Sequence, residues 1–345
     1  MSAIAAGVER VNAVAEEGDL AVDLDPTLDL AEDVEQEAIK LPCGRVIYPP
    51  KIFGTPVDRI ACSLLDAQDP ADARFLRLIG PPGTGKSQIA RVIAYKRWLA
   101  AGNRVKKRDG VPFYGLVELS PGPSSDEFYF RYDYVPLDGG GAKLIDATFV
   151  EAMRNGWLVV IDEVNTARDV ALLSINSVAD GRLTLHMPAT GETVIAQPGF
   201  GIVLCYNPGL VGATDIPDAW RSRFPATVEV RTNWAALLTL GAPEQLVAAA
   251  KSLDEKRLAG DEGLVWTPQF RDIEALTTMM KRTDERIGIA LFVSSLHEQV
   301  ATGAVQAAEA SAACRMLDEA GYERLKVGVT ARVPHLERYP RAVTR

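Results

Sequence analysis

Several features are scarce in this 345-residue sequence, and each scarcity argues against a class of protein. No run of about 18 apolar residues occurs, so the sequence predicts no transmembrane helix. The start of the chain has no basic region followed by an apolar stretch, which leads us to expect a cytoplasmic protein. Three histidines without ligand spacing argue against a metal other than nucleotide-bound Mg²⁺. Four cysteines lie far apart without a CxxC pair, so we expect reduced thiols: Cys43, Cys62, Cys205 and Cys314.

The chain beyond residue 40 also lacks a net charge. Residues 1–40 hold eleven acidic side chains against two basic ones and account for the whole formal charge of −9. The other 305 residues carry 35 basic and 35 acidic side chains. Such a balance gives no electrostatic reason to expect nucleic-acid binding. Because residues 1–40 also have few aromatic side chains, we expect a disordered acidic arm that is either solvated or docked on a partner.

Short apolar strands and amphipathic helices alternate over residues 41–232, which is typical of a parallel sheet covered on both faces. Beyond this α/β domain the strands stop, and Ala, Leu, Glu and Lys predict a smaller helical lid domain over residues 233–321. Residues 322–345 are weakly patterned and are expected to form a tail. The pattern predicts strands at 75–79, 113–119, 157–161, 201–205 and 226–230, and helices at 87–101, 145–154, 169–179 and 217–222.

The strongest motif lies between a predicted strand and a predicted helix and satisfies GxxxxGK[ST] in the context that this pattern requires. Its glycines allow the backbone to wrap around phosphates and to present N–H groups at a helix N-terminus. Lys86 would neutralise the β- and γ-phosphates of ATP, and Ser87 would bind Mg²⁺. The motif therefore predicts a P-loop NTPase. Its residues are Gly80, Pro81, Pro82, Gly83, Thr84, Gly85, Lys86 and Ser87.

A second motif is the apolar strand Leu158–Ile161, which ends in two acids. Downstream of a P-loop, Asp162 is placed to hold Mg²⁺, through water, as the acidic partner of Ser87. Glu163 can polarise the attacking water. An acid at this point favours hydrolysis over phosphoryl transfer, because kinases must keep water out. Alone, a strand end of this kind can be simply solvated, so the prediction depends on the P-loop.

These motifs and two later ones resemble those of AAA+ ATPases in their order and rough spacing. More narrowly, the chain resembles the MoxR group and is closest to its CbbQ/NorQ/NirQ branch. The resemblance covers about Leu41 to Val230, and the acidic arm has no counterpart in it. It implies an AAA+ core with a parallel sheet, followed by a helical lid. The later motifs are Cys205-Tyr206-Asn207-Pro208-Gly209 and Arg221-Ser222-Arg223-Phe224, supported by 162–164, 167–168, 179–182 and 198–200.

The resemblance also implies roles for single residues. Asn207 matches the polar sensor that holds the attacking water, although a residue before Pro208 can also be a plain turn residue. Arg223 matches the arginine finger that reaches the next subunit, and Arg221 is the alternative. Arg271 matches the arginine that reads the γ-phosphate from the lid of the same chain. For each arginine, an ordinary surface or structural role is the competing interpretation.

Two insertions typical of this branch are also predicted. Residues 183–185 and 193–195 alternate around a glycine-containing turn, which indicates a β-hairpin. Residues 138–143 are glycine-rich and fall where the family has a helix-interrupting loop. In a ring such elements face the pore or a partner, and a flexible surface loop is the alternative for both.

Tyr48-Pro49-Pro50 is placed to border the adenine.

The leading hypothesis is therefore a homo-oligomeric ring, expected to be a hexamer, that hydrolyses ATP with Mg²⁺ and remodels a protein client. The resemblance suggests a client with a von Willebrand factor A domain, but no residue identifies it. The alternative is a DNA- or RNA-directed AAA+ motor, such as a restriction or phage-replication subunit. The basic residues 104–108 support it, although a solvated loop is the favoured explanation of that segment. A third hypothesis is a scaffold that binds ATP with little turnover.

Overall fold

The computed structural model describes residues 37–66, 75–138, 140–208, 216–224, 226–260 and 263–322. Most of the predicted acidic arm and all but the first residue of the predicted tail lie outside the described residues, as do Gly139 and Gly209. No helix in these ranges has the length and apolar character needed to cross a bilayer. The four cysteines are free thiols.

The elements follow one another along the described chain in a largely alternating order. The strands are β1 Ile39–Lys40, β2 Val46–Ile47, β3 Lys51–Ile52, β4 Thr55–Pro56, β5 Phe75–Ile79, β6 Lys106–Arg108, β7 Val111–Phe113, β8 Leu116–Leu119, β9 Tyr132–Pro136, β10 Ala142–Asp146, β11 Leu158–Asp162, β12 Thr184–Met187, β13 Glu192–Ile195, β14 Gly201–Tyr206 and β15 Ala226–Glu229. The helices are α1 Val57–Leu65, α2 Lys86–Ala100, α3 Thr148–Asn155, α4 Asp169–Leu173, α5 Asn176–Ala179, α6 Asp218–Arg221, α7 Trp234–Thr239, α8 Glu244–Leu258, α9 Phe270–Arg282, α10 Glu285–Ala301 and α11 Ala307–Glu319, with a 3-10 turn at Val164–Thr166.

The central sheet of the described chain has five parallel strands in the order β15-β5-β14-β11-β8. Its strands are nearly continuous apolar runs because helices cover both faces. Along β11 the side chains alternate between two cores. Val159 and Ile161 pack with α3 and the segment before β15, whereas Leu158 and Val160 pack with α1 and α2. The fold is therefore an α/β P-loop NTPase core with three layers, as the sequence predicts.

The carboxyl ends of neighbouring parallel strands meet at one edge of this sheet. Residue Asp162 at the end of β11 is in register with Cys205 of β14, and Tyr206 is in register with Ile79 of β5. The P-loop follows β5 directly. As a result, the segments that follow β5, β11 and β14 converge at one place, where open parallel sheets generally bind ligands.

Helices α7 to α11 follow the sheet and form their own apolar core, which includes Leu246, Ile273, Ile289 and Leu317. Helices α9 and α10 approach each other closely at Gly288, where an added Cβ would lie 2.8 Å from the backbone nitrogen of Met280. The helical region predicted after the sheet is therefore present. The domain boundary that we place at residues 232 and 233 stays a prediction.

Three predicted elements were wrong in detail. The strand predicted over 113–119 is two strands, because the chain turns at Gly115 with φ of +68°, and a Cβ there would overlap the Trp98 ring. The helix predicted from residue 145 begins at Thr148, since Ile145 pairs with Asp133 in a hairpin. The helix predicted over 169–179 is divided into α4 and α5.

Candidate nucleotide-binding site

The P-loop has backbone geometry that glycine alone adopts without strain. Gly80, Gly83 and Gly85 have φ of +146°, +87° and +92°. At Gly80 a side chain is also excluded by space, because its Cβ would lie 2.4 Å from the carbonyl oxygen of Val230. Thr84 steadies the loop by donating a hydrogen bond from Oγ1 to the carbonyl of Pro81 at 3.1 Å. The loop therefore has the close-wrapped form that a phosphate site needs.

Lys86 is buried at the first position of α2 and is held by three acceptors. Its Nζ donates to the carbonyl oxygens of Gly80 at 2.8 Å and Pro81 at 2.7 Å, and to Oδ1 of Asn207. Burial lowers the pKa of Lys86 from 10.5 to about 8, against the opposing effects of Cys205 and Asp162. The cation is thus poorly hydrated, and an anion placed beside it would be bound more strongly than in water.

Ser87 and Asp162 form the oxygen-rich part of the site. Ser87 Oγ donates a hydrogen bond of 2.6 Å to Oδ2 of Asp162, and the other carboxylate oxygen accepts from the backbone N–H of Glu163 at 3.1 Å. A hydroxyl and a carboxylate beside a phosphate loop are the kind of ligands that Mg²⁺ prefers. The residues present therefore fit a magnesium ion held by Ser87 and Asp162.

Glu163 has a left-handed backbone, with φ of +50° and ψ of +38°, and an exposed side chain. Such a conformation in a residue other than glycine costs about 1–3 kcal/mol and tends to occur at functional sites. Its carbonyl accepts a hydrogen bond of 2.8 Å from Thr166 Oγ1, which fixes the turn after β11. The left-handed conformation of Glu163 turns the chain sharply at the end of β11, at the edge of the cleft.

Asn207 is fixed from two sides. Its side-chain oxygen accepts from Lys86, and its carbonyl oxygen accepts from Nδ2 of Asn165 at 3.2 Å. Asn165 is buried in the 3-10 turn that follows the two acids. No sequence pattern points to Asn165, because an asparagine in a turn has no motif of its own. The end of β14 is therefore linked to both the P-loop and the turn after β11.

Arg271 reaches the same place from the helical region. Its backbone N–H donates to the carbonyl of Gly83 at 3.1 Å. Its side chain lines a cleft of about 380 Å³ together with Lys86, Asp162, Glu163 and Asn207. Its positive charge is one of the factors that lower the pKa of Lys86. Lys86 and Arg271 therefore contribute two cations to the lining of one cleft.

The remaining wall of the cleft is more apolar, as an adenine ring requires. Tyr48 and Pro50, which the sequence predicts there, do line the cleft. Asn233 caps α7 and donates from Nδ2 to the carbonyl of Tyr48 at 3.1 Å, so it ties this wall to the helical region. Leu240 and Phe270 were missed, because nothing local distinguishes them from core residues. Val46 and Ile47 also line this wall, and the polar residues Arg45, Gln88 and Glu274 line the same cleft.

Arg221 and Arg223 do not line the cleft of their own chain. The guanidinium of Arg223 donates to the carbonyl of Ala219 in α6, and its side chain is half-buried. Arg221 is exposed and lies 3.9 Å from Asp218. Neither arginine is thus brought to the P-loop within one chain, which is compatible with the predicted contact to a neighbouring subunit.

Both predicted insertions are β-hairpins. The predicted hairpin is β12–β13. The described residues of the glycine-rich segment, 138 and 140–143, lie at the turn end of a second hairpin, β9–β10, which the sequence did not predict. Arg154 of α3 ties the two together, with hydrogen bonds to Asp146 at 2.9 Å and to both carboxylate oxygens of Glu192 at 2.7 Å. The exposed apolar side chains on this pair of hairpins are Tyr134, Val135, Leu137, Leu144, Ile145 and Ile195.

The basic segment 104–108 contributes to the β6–β7 hairpin. Arg108 is occupied there by Glu151, at 2.8 Å, and by the faces of Phe113 and Trp157, at 5.7 and 5.5 Å from the ring centres. Lys106 and Lys107 are exposed. Part of this basic segment therefore has a structural role, which weakens the case for a nucleic-acid surface.

Comparison with known proteins agrees with this geometry. Residues 76–224 match the family model of the AAA domain of the dynein-related subfamily. This part of the chain is therefore similar to AAA domains. The match runs from the strand before the P-loop through Arg223 and ends at Phe224. It does not identify the MoxR group or its CbbQ branch.

Curated relatives support the AAA assignment without naming a narrower group. Midasin of Dictyostelium discoideum is 26% identical over 186 residues, which cover 52% of this chain and 3% of midasin. An uncharacterized protein of Staphylococcus haemolyticus is 40% identical over 153 residues, covering 43% of this chain and 52% of that protein. The uncharacterized protein YojN of Bacillus subtilis is 28% identical over 151 residues, covering 43% and 44%. The chain thus spans about half the length of its bacterial relatives, or less.

Proposed function

We propose that the protein hydrolyses ATP with Mg²⁺ in a homo-oligomeric ring whose active sites are shared between neighbouring subunits. The observation that carries this proposal is the convergence of three segments on one cleft. Lys86 contacts Asn207 and Ser87 contacts Asp162, so the P-loop is bonded to the ends of β14 and β11. Arg271 lines the same cleft from α9.

Each residue would have a distinct task in hydrolysis. The P-loop N–H groups and Lys86 would bind the phosphates, and Ser87 and Asp162 would hold Mg²⁺, which neutralises charge on the phosphate oxygens when bound. Glu163 would accept a proton from the attacking water. Asn207 would orient that water, and Arg271 would bind the γ-phosphate. The positions of the side chains in the cleft and the similarity to AAA domains support these proposed roles.

The arginine finger would come from a second subunit. Arg223 lies outside the cleft of its own chain, and AAA+ domains generally act as oligomers. An arginine donated in trans stabilises charge on the transferring phosphoryl group, so it makes hydrolysis depend on assembly. We propose a hexamer on the basis of the resemblance.

The client would be a protein. The clamped pair of hairpins exposes several apolar side chains, including Tyr134, Leu137 and Ile195, and such a patch favours contact with other protein surfaces. The resemblance to the MoxR group and its CbbQ branch suggests a chaperone-like role on a client with a von Willebrand factor A domain. Hydrolysis would change the orientation of the helical region relative to the sheet and so move the client.

The test is ATP turnover per subunit over a wide range of protein concentration, for the wild type and for Glu163→Gln. We expect specific activity to rise with concentration and Glu163→Gln to bind ATP without turning it over. Turnover that does not change with concentration would contradict the shared site. Absence of turnover would favour a nucleotide-dependent scaffold, and stimulation by DNA that is lost with added salt would favour a nucleic-acid motor.

A further inference from the structure

A buried polar cluster lies between the sheet and the helical region. Its four members, Thr232, Asp254, Thr267 and Gln269, are each at most 6% exposed. Gln269 is at its centre, because Nε2 donates to Asp254 Oδ1 at 2.7 Å and to Thr267 Oγ1 at 2.8 Å. Its oxygen Oε1 accepts from Thr232 Oγ1 at 2.7 Å. Buried polar groups are costly when unpaired, so this network strongly favours one arrangement of its members.

The cluster fixes the start of helix α9. Gln269 precedes the helix and forms a capping box with Asp272, whose Oδ2 accepts the Gln269 N–H at 2.9 Å. Thr232, which follows β15 by a few residues, accepts the Phe270 N–H at 3.3 Å. Asp254 belongs to α8. The first turn of α9 is thereby held by the end of the sheet and by a second helix together.

The same turn packs directly on the P-loop. A Cβ added to Gly83 would lie 3.3 Å from Cβ of Arg271 and 3.5 Å from Cβ of Gln269. The Arg271 N–H donates to the Gly83 carbonyl at 3.1 Å. Only Phe270 lies between Gln269 and Arg271 in the sequence. A small displacement of Gln269 would therefore move Arg271 relative to the P-loop.

We propose that Gln269 and Thr232 are positioning residues that hold Arg271 against the P-loop, so that recognition of the γ-phosphate depends on the buried cluster. This inference rests on the proposed function. Gln269 reaches no phosphate itself, since its side chain points into the cluster. It acts through Arg271. The cluster also ties the end of the sheet to α8, so a change in the tilt of the helical region would move Arg271 as well.

The test compares nucleotide preference and turnover in Gln269→Met, Thr232→Val and Arg271→Ala. Methionine keeps the length of glutamine but removes its hydrogen bonds, and Thr232→Ser keeps the hydroxyl. The ratio of the ADP and ATP dissociation constants is measured in the Glu163→Gln background, which makes it independent of hydrolysis. Turnover is measured with Glu163 intact. Thr277→Val on α9 is the matched control, because this buried hydroxyl has no hydrogen-bond partner among the described residues.

We expect Gln269→Met, Thr232→Val and Arg271→Ala each to lower the preference for ATP over ADP and the turnover at least fivefold. Thr232→Ser and Thr277→Val should stay within twofold of the wild type. In the Arg271→Ala background, Gln269→Met should add less than a twofold effect, because residues that act as a unit are not additive. Thermal unfolding checks that each variant is folded. If Gln269→Met is not folded, Thr232→Val takes its place in the comparison with Arg271→Ala.

An unchanged nucleotide preference in Gln269→Met and Thr232→Val would overturn the inference. The inference would also be overturned if Gln269→Met lowered the nucleotide preference and turnover as much in the Arg271→Ala background as in its absence. Gln269 would then not act through Arg271. These outcomes are distinct from failure of the proposed function. A wild type without turnover would refute hydrolysis, while the affinity ratio would still decide whether Gln269 acts through Arg271.

Discussion

Ser87 Oγ donates a 2.6 Å hydrogen bond to Oδ2 of Asp162, 75 residues further along the chain. The contact joins the start of α2 to the end of β11, two strands away from β5 in the sheet. It places a hydroxyl and a carboxylate side by side at the mouth of the P-loop. A divalent cation bound to ATP requires ligands of this kind.

We expect Asp162→Asn to raise the Mg²⁺ concentration needed for half-maximal turnover by about 10–100-fold, because the amide keeps the bond to Ser87 but loses its charge. A titration of turnover with Mg²⁺ at fixed ATP measures this. Ser177→Ala is the control, since Ser177 Oγ donates to the Thr184 carbonyl, outside the cleft. If Asp162→Asn and the wild type needed the same Mg²⁺ concentration for half-maximal turnover, Asp162 would not be part of the magnesium site.

Arg223→Ala and Arg221→Ala should separate the two candidate arginine fingers. If Arg223 is the finger, its loss lowers turnover by about 10³-fold or more while ATP affinity is unchanged. Arg221 is more exposed and lies near Asp218, so Arg221→Ala should retain most of the turnover. Calorimetric binding of ATP to both variants provides the control. The reverse order of effects would assign the finger to Arg221.

The sequence predicts the P-loop and the pair of acids at the end of β11, because both are local patterns in a fixed strand–loop–helix context. The apolar run Val159–Ile161 likewise predicts a buried parallel strand. Long-range features were not accessible in this way. Gln269 contacts Thr232 and Asp254, which are 37 and 15 residues away, and no periodicity pairs them.

The hairpin at 132–146 was missed for a related reason. Tyr134 and Leu144 face each other across the two strands and are both exposed, so the segment does not show the alternation of a half-buried strand. The apolar residues Ile145, Phe149 and Met153 recur at helical spacing, which led to a helix that begins too early. The roles of Asn207, Arg223 and Arg271 remain predictions, because the AAA domain match does not assign single residues.

Gly80→Ala should destabilise the fold more than Gly181→Ala, although both glycines have positive φ. A positive φ costs a residue with a side chain about 1–3 kcal/mol at either position. At Gly80 the new methyl would also overlap the Val230 carbonyl, whereas nothing lies within 4 Å of the methyl at Gly181. Overpacking of this kind adds about 1–3 kcal/mol. Urea unfolding of both variants measures the difference, and equal losses would contradict the close packing at Gly80.

Asp272 predicts a specific pH dependence of stability. Burial raises the pKa of this carboxyl above its ordinary value, against the opposing effects of the Gln269 N–H and Arg271. The folded protein then keeps a proton in a range where the unfolded chain, with a pKa of about 3.9, has released it. The contribution of Asp272 to stability therefore falls as pH rises through this range.

Asp272→Asn lacks this titration but keeps a carbonyl oxygen for the Gln269 N–H. We expect the free energy of unfolding of the wild type, relative to Asp272→Asn, to decline as the pH is raised above about 3.9, the ordinary pKa of an aspartic acid. Urea unfolding of both proteins at several pH values measures this. A difference that is constant with pH would mean that Asp272 titrates alike in the folded and unfolded chains.

The most direct test of the shared active site is to mix two variants that are each inactive, Lys86→Ala and Arg223→Ala. The first cannot bind ATP productively but still carries the finger, and the second keeps an intact P-loop but offers no finger. In a mixed ring, a complete site forms where the P-loop of an Arg223→Ala subunit receives Arg223 from a neighbouring Lys86→Ala subunit. We predict that turnover reappears on mixing and approaches about a quarter of the wild-type value in an equimolar ring. If the mixture exchanges subunits but stays as inactive as its components, the claim that Arg223 acts on the neighbouring site is wrong.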